Sequence, residues 1–378
     1  MEAQNLTIDP LFTTQNLEED TTIELFPDND LTEGTPESVR LLSREERFRQ
    51  VERAIYGLYR WYVARSQTTR NWNPEANFAW SEMRHDHSPD VVMLIEGFFA
   101  VEQYVPDYTS KIVNLVRRSF GRSHFQLRWG AEEERHAETW ENALLYSRRR
   151  TPAYIEQYKH DLRTNEWNLP WDDPLHMVMY TVFQERATQM NYLNFARIAK
   201  GESSEPAYKN DVDPVLARAC SVLAIDEAAH YAFFLECARL MLYYFPEESL
   251  EAIYDVITHF AMPAQEIIPN WNDVAEAIYK TGVYGPREYQ RNVLLPVFAN
   301  LTVVGRKALD KGLKESKAIP DTEGKMRLTA LFETFDPGLI EENVIRLHDK
   351  VVEYEVSTGR DVVDPIRFQR NPDWPTAK

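Results

Sequence analysis

At 378 residues the chain is long enough for a large buried core, and its net charge of −18 argues against non-specific binding to nucleic acid. No run of 18 or more residues is uninterruptedly apolar, which argues against a membrane span, and the acidic, Thr-rich start lacks the apolar core of a secretory signal. The two cysteines, Cys220 and Cys237, sit in one apolar segment and read as small core residues in a reducing cytoplasm. Charge is uneven: residues 111–163 carry eleven Lys and Arg against seven Asp and Glu, a basic region on an acidic chain.

Residues 1–42 hold few large apolar side chains and read as a disordered acidic leader. Ser43-Arg44-Glu45-Glu46 reads as a capping box, and Phe48, Val51, Ile55, Leu58 and Tyr62 follow at helical spacing on one face. A turn-rich connection surrounds Asn71-Trp72-Asn73-Pro74. Pro89-Asp90 opens an apolar helix through Val91 to Val105. Pro106 has no N–H for the carbonyl of Glu102, so a kink is expected there. A second long helix runs through Glu133 and His136 towards Leu145. Pro152, Pro170 and Pro174 punctuate the connection to a third, about 175–199. Asp213-Pro214 reads as an N-cap followed by proline at the first helical position of a fourth, which continues to about Tyr244. Further helices are expected over about 250–262 and 286–311, and a last amphipathic one from Asp336-Pro337 carries Ile340, Val344, Leu347, Val351 and Tyr354 on one face. The expected organisation is all-α: leader 1–42, one helical domain 43–310, and a C-terminal helical extension 311–378.

Four of these helices carry acids and histidines in apolar surroundings, in the order Glu102, Glu133-x-x-His136, Glu185, Glu227-x-x-His230. Positions three apart on a helix share a face, so each Glu-x-x-His presents a carboxylate and an imidazole to one neighbour. One Glu from each of two helices plus Glu-x-x-His from two others is the ligand set of ferritin-like di-iron and di-manganese carboxylate proteins. Glu82-Met83-Arg84-His85 fits the same short pattern, but polar neighbours and Pro89 mark it as a chance copy on a surface turn. The alternative for the other two is a set of buried ion pairs. Few basic partners lie in those segments, and buried charges are normally paired or coordinate a metal. Iron held by such a set, partly open to ligands, can reduce O2 and generate an oxidant for C–H bonds, while the protein supplies orientation and a dry pocket.

From about Trp72 to Asn300 the chain resembles the soluble acyl-[acyl-carrier-protein] desaturases, including the plant stearoyl enzymes. The resemblance is carried by Val101 to Pro106, Trp129 to His136, Tyr180 to Asn191, Ile225 to His230, Met262-Pro263-Ala264 and Gly282-Val283-Tyr284. It implies a ferritin-like helical bundle with two Fe ions on Glu102, Glu133, His136, Glu185, Glu227 and His230. It implies Thr188 beside the oxygen-binding face, and Trp72, Asp226 and His136 as a path for electrons, with Asp226 holding the His136 imidazole. It further implies an acyl carrier protein bearing the substrate, a ferredoxin-like electron donor and a homodimer. Two departures stand out. The region from Lys311 to Lys378 is unlike the plant pattern, and Met177 occupies a position deep in the acyl channel where plant stearoyl enzymes have glycine.

The reading that follows is an O2-dependent desaturase placing a cis double bond in a carrier-bound acyl chain. The alternatives are a related oxygenase that hydroxylates or otherwise oxidises a tethered chain, or a non-catalytic ferritin-like iron-binding protein. Arg117, Arg118 and Arg122, and the run Arg148-Arg149-Arg150, are the candidate docks for an acidic carrier.

Overall fold

The computed structural model describes residues 42–318 and 333–358, so the acidic leader, apart from Leu42, and much of the C-terminal region lie outside the described residues. Among the described residues the regular structure is helical, and the β-type pairing is one isolated bridge between Val303 and Phe335. The helices are α1 (Arg44–Thr69), α2 (Pro89–Glu102), α3 (Val105–Leu115), α4 (Phe120–Tyr146), α5 (Pro152–Leu162), α6 (Pro174–Ala199), α7 (Pro214–Tyr244), α8 (Pro246–His259) and α9 (Trp271–Thr281). They continue with α10, built from Pro286–Glu288, a π-helical turn Tyr289–Leu294 and Leu295–Asn300, then α11 (Arg306–Ala318) and α12 (Pro337–Thr358). Two compact units result. One comprises the described residues up to Leu58, Glu236–Asp255 and the described residues from Phe298; the other comprises Tyr59–Leu235 and Val256–Val297.

In the first unit the capping box is reciprocal. Ser43 N–H donates to Glu46 Oε2 at 2.7 Å and Glu46 N–H to Ser43 Oγ at 3.2 Å, satisfying two donors at the start of α1. The α1 face is buried at Val51, Ile55 and Leu58, but Phe48 is 41% exposed, its ring lying against Phe245 with Arg44 above it. Arg53 Nε donates to Glu355 Oε1 of α12 at 2.9 Å. Ile340, Val344, Leu347 and Val351 of α12 are buried as expected, whereas Tyr354 is half-buried and Glu355 takes the inner place.

The second unit holds the four acid-bearing helices. Where a kink was expected the helix breaks outright: α2 stops at Glu102 and α3 starts at Val105, with Pro106 in its first turn, and the carbonyl of Val101 accepts Tyr104 N–H at 3.2 Å and the Tyr108 hydroxyl at 2.6 Å. α4 packs on both α2 and α3. At Gly130 of α4 a Cβ would come within 2.3 Å of Thr109 Oγ1 on α3, so glycine is what lets these helices close up. Asp213 caps α7 by accepting N–H bonds from Val215 at 2.9 Å and Leu216 at 3.1 Å.

Two helices, α5 and α9, were not anticipated. Both are short; α9 buries little more than Val274, Ala277 and Thr281, too few positions for a clear period. The single helix anticipated over 286–311 is interrupted twice. The π-helical turn frees the Asn292 carbonyl, which accepts from Arg186 Nε at 3.0 Å. Beyond it Thr302 turns left-handed at φ 58°, and residues 302–304 pair with 334–336 instead of continuing the helix.

Asp213 also accepts from Arg84 N–H at 3.0 Å and faces His87 Nε2 at 2.9 Å. Burial raises its pKa, but the His87 contact and the N–H donors outweigh this and hold the carboxyl below its ordinary value. Its stabilisation is therefore present above the unfolded pKa of about 3.9 and is lost as pH falls through the lower folded value. Asp213→Ala is expected to cost about 1–2 kcal/mol at neutral pH, the range for a lost cap, and the gap to wild type should shrink in acid. Chemical denaturation at pH 7 and pH 3 measures both.

Candidate metal centre

Each of the four central helices delivers its acid from a buried face. Glu102 ends α2, Glu133 and His136 lie mid-α4, Glu185 mid-α6, and Glu227 and His230 mid-α7; all six side chains are buried. They form two overlapping clusters, Glu102, Glu133, His136 and Glu227, and Glu133, Glu185, Glu227 and His230, with ligand atoms in each within 4.8 Å of one another. Glu133 and Glu227 belong to both. The arrangement is two half-sites, each with one Glu and one His of its own, joined by two shared carboxylates. The structure thus brings together all six residues singled out from the sequence. Glu82 and His85, the sequence copy, are exposed on a turn.

The polar atoms facing the centre do not satisfy one another. His136 Nδ1 lies 2.9 Å from Glu133 Oε2, and His230 Nδ1 lies 2.9 Å from Glu133 Oε1. Yet both Nδ1 atoms, Glu133 Oε1, Glu185 Oε2 and both oxygens of Glu227 are buried without a well-formed hydrogen bond. Convergent, orphaned donor atoms of this kind fit cations. Four carboxylates also carry the charge that two divalent ions would neutralise, and uncompensated each would cost several kcal/mol. Proton equilibria respond accordingly. Burial and the Glu133 carboxylate raise Glu102 well above the usual carboxylate range, and burial and Glu227 do the same to Glu185. Burial opposes charge on His136 and His230, but the surrounding acids prevail and raise both well above ordinary imidazole values. Burial would also raise Glu227, but the two imidazoles bring it down to about 2.

A second layer of side chains contacts four of the six. Trp129 Nε1 donates to Glu185 Oε1 at 2.9 Å, and the Tyr192 hydroxyl bonds Glu102 Oε1. Glu132 faces His230 Nε2 at 3.0 Å and accepts from the hydroxyls of Tyr62 and Ser66. Asp226 lies 3.6 Å from His136 Nε2, longer than a hydrogen bond; it accepts instead from Trp72 Nε1 at 2.9 Å and Arg135 Nη2 at 3.2 Å. The Trp72 ring is stacked on His136 with centroids 6.2 Å apart and planes 9° from parallel, so Trp72, Asp226 and His136 do adjoin. Sequence reading missed Glu132, Trp129, Tyr192 and Arg70. The signal for Glu132 was present: Glu132-Glu133-x-x-His136 and Asp226-Glu227-x-x-His230 are the same five-residue pattern. Trp129 and Tyr192 stand one and two turns from ligands on the same helix face.

A cavity of about 30 Å3 reaches the cluster, lined where it meets the cluster by Glu102, Glu133, Glu227, Gln184 and Thr188 and elsewhere by Met177, Tyr108, Ile112 and Trp167. That is space for about two waters. Thr188 Oγ1 donates to the Gln184 carbonyl at 3.1 Å and accepts from Gln184 Nε2 at 3.2 Å. Of the arginines, Arg122 is buried with Nη2 on the Pro174 carbonyl at 2.8 Å, and Arg150 bonds buried Glu96, so neither is free to dock a partner. Arg117, Arg118, Arg148 and Arg149 are exposed.

Fold and site together define an all-α, ferritin-like protein with a buried carboxylate–histidine cluster. The fatty acid desaturase family matches residues 68–327, and the chain belongs to that family, which makes it an oxidoreductase. It is 22% identical over 258 residues to DesA1 of Mycobacterium tuberculosis, provisionally named an acyl-[acyl-carrier-protein] desaturase, a match covering 62% of this chain and 72% of that protein. It is 30% identical over 170 residues to the chloroplastic acyl-[acyl-carrier-protein] desaturase 6 of Oryza sativa, covering 43% of this chain and 38% of that protein. It is 29% identical over 181 residues to the chloroplastic stearoyl-[acyl-carrier-protein] 9-desaturase 6 of Arabidopsis thaliana, covering 46% and 44%. The chain thus spans less than half of either plant enzyme. Among solved structures it is similar to DesA2 of M. tuberculosis, 17% identical with a TM-score of 0.47 over 69% of this chain and 98% of that one. No described helix is long and apolar enough to cross a membrane.

Glu185→Ala and Glu227→Ala are each expected to abolish stoichiometric metal binding, whereas Glu82→Ala binds as wild type. Metal analysis after anaerobic ferrous loading decides, and loss of iron in the Glu82 variant would show that the ligands were chosen wrongly.

Proposed function

We propose that the chain is an O2-dependent di-iron desaturase that introduces a cis double bond into a fatty acyl chain carried on an acyl carrier protein. The observation that carries this reading is the pair of half-sites sharing Glu133 and Glu227 at the inner end of a largely apolar cavity. Two iron ions held by Glu102, His136, Glu185, His230 and the shared pair would supply O2 reduction and an oxidant strong enough for an unactivated C–H bond. The balanced reaction converts CH2–CH2, O2, two electrons and two protons into CH=CH and two waters. Family membership and the names of the relatives support the acyl-carrier substrate.

The chain's own residues then have distinct tasks. Met177, Ile112 and Trp167 hold the apolar chain and exclude water from it. The cavity is narrower than such a chain, so these side chains move aside on binding. Met177 fills depth that a smaller residue would leave open, which favours a shorter reach beyond the reacting carbons. Thr188, tied to Gln184, presents a hydroxyl at the cavity's inner end, suited to handing on a proton. Trp72, half-buried and joined to His136 through stacking and through Asp226, is suited to admitting electrons from a ferredoxin-like donor. A homodimer is the expected assembly.

Anaerobic ferrous loading followed by O2, a reductant and a panel of acyl carriers tests the reading. The expected product has lost two hydrogens. Gain of one oxygen atom would favour hydroxylation, and uptake of many irons per chain without product would favour iron storage.

The carrier is acidic and so is this chain, so attraction must be local. Arg117 and Arg118, exposed just past the end of α3, whose Tyr108 and Ile112 line the cavity, are the favoured dock. Reversing both to Glu is expected to raise KM for the carrier-bound substrate about tenfold at low salt and to flatten its salt dependence, with kcat and iron content unchanged. Unaltered KM at low ionic strength would place the dock elsewhere.

A further inference from the structure

The acids behind the two histidines are exchanged between helices. Glu132, next to the α4 ligand Glu133, supports His230 of α7; Asp226, next to the α7 ligand Glu227, stands behind His136 of α4. One side chain joins these two acids. Arg70, just beyond the end of α1 and 9% exposed, places the same Nη1 3.1 Å from Asp226 Oδ1 and 3.3 Å from Glu132 Oε2. Its guanidinium lies over the Tyr62 ring at 4.8 Å, and Tyr62 itself bonds Glu132. Arg135 fixes the backbone around it by donating to the carbonyls of Arg70 at 3.1 Å and Trp72 at 3.2 Å. Arg70 therefore sits where a small displacement alters both outer acids at once.

We propose that Arg70 is a positioning residue that couples the two half-sites, setting Glu132 behind His230 and Asp226 behind His136 through one guanidinium nitrogen. The inference rests on the di-iron reading above and goes beyond it by assigning unequal duties in the outer layer. Glu132 serves the His230 half-site, Asp226 the His136 half-site, and Arg70 both. A metal ion on Nδ1 would require the proton of each imidazole to be at Nε2, the atom turned toward these acids.

Anaerobic ferrous titration followed by magnetic circular dichroism, which resolves two stepwise affinities, provides the test, with the thermal midpoint of each metal-free protein measured alongside. Glu132→Gln is expected to weaken one step about 10- to 100-fold and spare the other, and Asp226→Asn to weaken the opposite step. Arg70→Gln is expected to weaken both. Adding Glu132→Gln to Arg70→Gln should weaken the His230 step less than the two separate effects combined, because both act through one contact. Arg70→Lys keeps the charge on a shorter stem, withdrawn from both acids; it stands in if the glutamine variant does not fold, and should also weaken both steps. Unchanged steps in the folded Arg70 variants, with only a lowered thermal midpoint, would overturn the proposal and leave Arg70 a structural ion-pair partner. Equal weakening of both steps by Glu132→Gln would overturn it too. A wild-type chain that binds fewer than two ferrous ions would instead overturn the di-iron reading itself.

Discussion

Four buried carboxylates converge in two overlapping clusters, and the rest of the second unit is arranged around that electrostatic constraint. Apolar helices can bring such charges together only if opposite charge arrives with them. The protein provides two imidazoles, a layer of hydrogen-bond donors and a single buried arginine, and even so leaves six inward-facing atoms of five ligands without a hydrogen bond. A bound cation would meet that residual demand, whereas in a structural salt-bridge network every acid would have found its base.

The same constraint explains local features that would otherwise look incidental. The break after Glu102 allows α2 to end at its ligand while α3 departs along the cavity wall. The absence of a side chain at Gly130 brings α3 close to α4, one turn from Glu133. Arg186, the neighbour of Glu185, reaches outward to a carbonyl released by the π-helical turn of α10, so α6 is held from both sides.

Much of this was legible in the sequence because helical period and ligand spacing share one geometry. The Glu-x-x-His pairs, the Asp213 cap and the proline break rest on contacts within a few residues of chain, and all appear where local chemistry requires them. What stayed hidden depends on partners distant in sequence. Arg70 reads as the end of a polar helix until Glu132 and Asp226, 62 and 156 residues away, fold onto it. Arg122 and Arg150 read as surface charge, but their carbonyl and carboxylate partners come from other helices. The interruption of α10 needed residues 334–336, and α9 offers too short an apolar stripe to register. The fold and the convergence of the six acids and histidines were therefore readable, while the outer layer and the availability of each cation were not.

The exchange of supporting acids has a consequence for how the protein matures. Neither half-site can be built from one helical hairpin, since each needs Glu133 from α4 and Glu227 from α7, sequence neighbours of neither. A nascent chain that has made only α2 to α4 offers an incomplete and weak set of donors, so adventitious ions have little to hold during synthesis. Tight capture would begin only when α7 docks. A metal bound there would link its affinity to closure of the bundle, so that its uptake would report completed assembly.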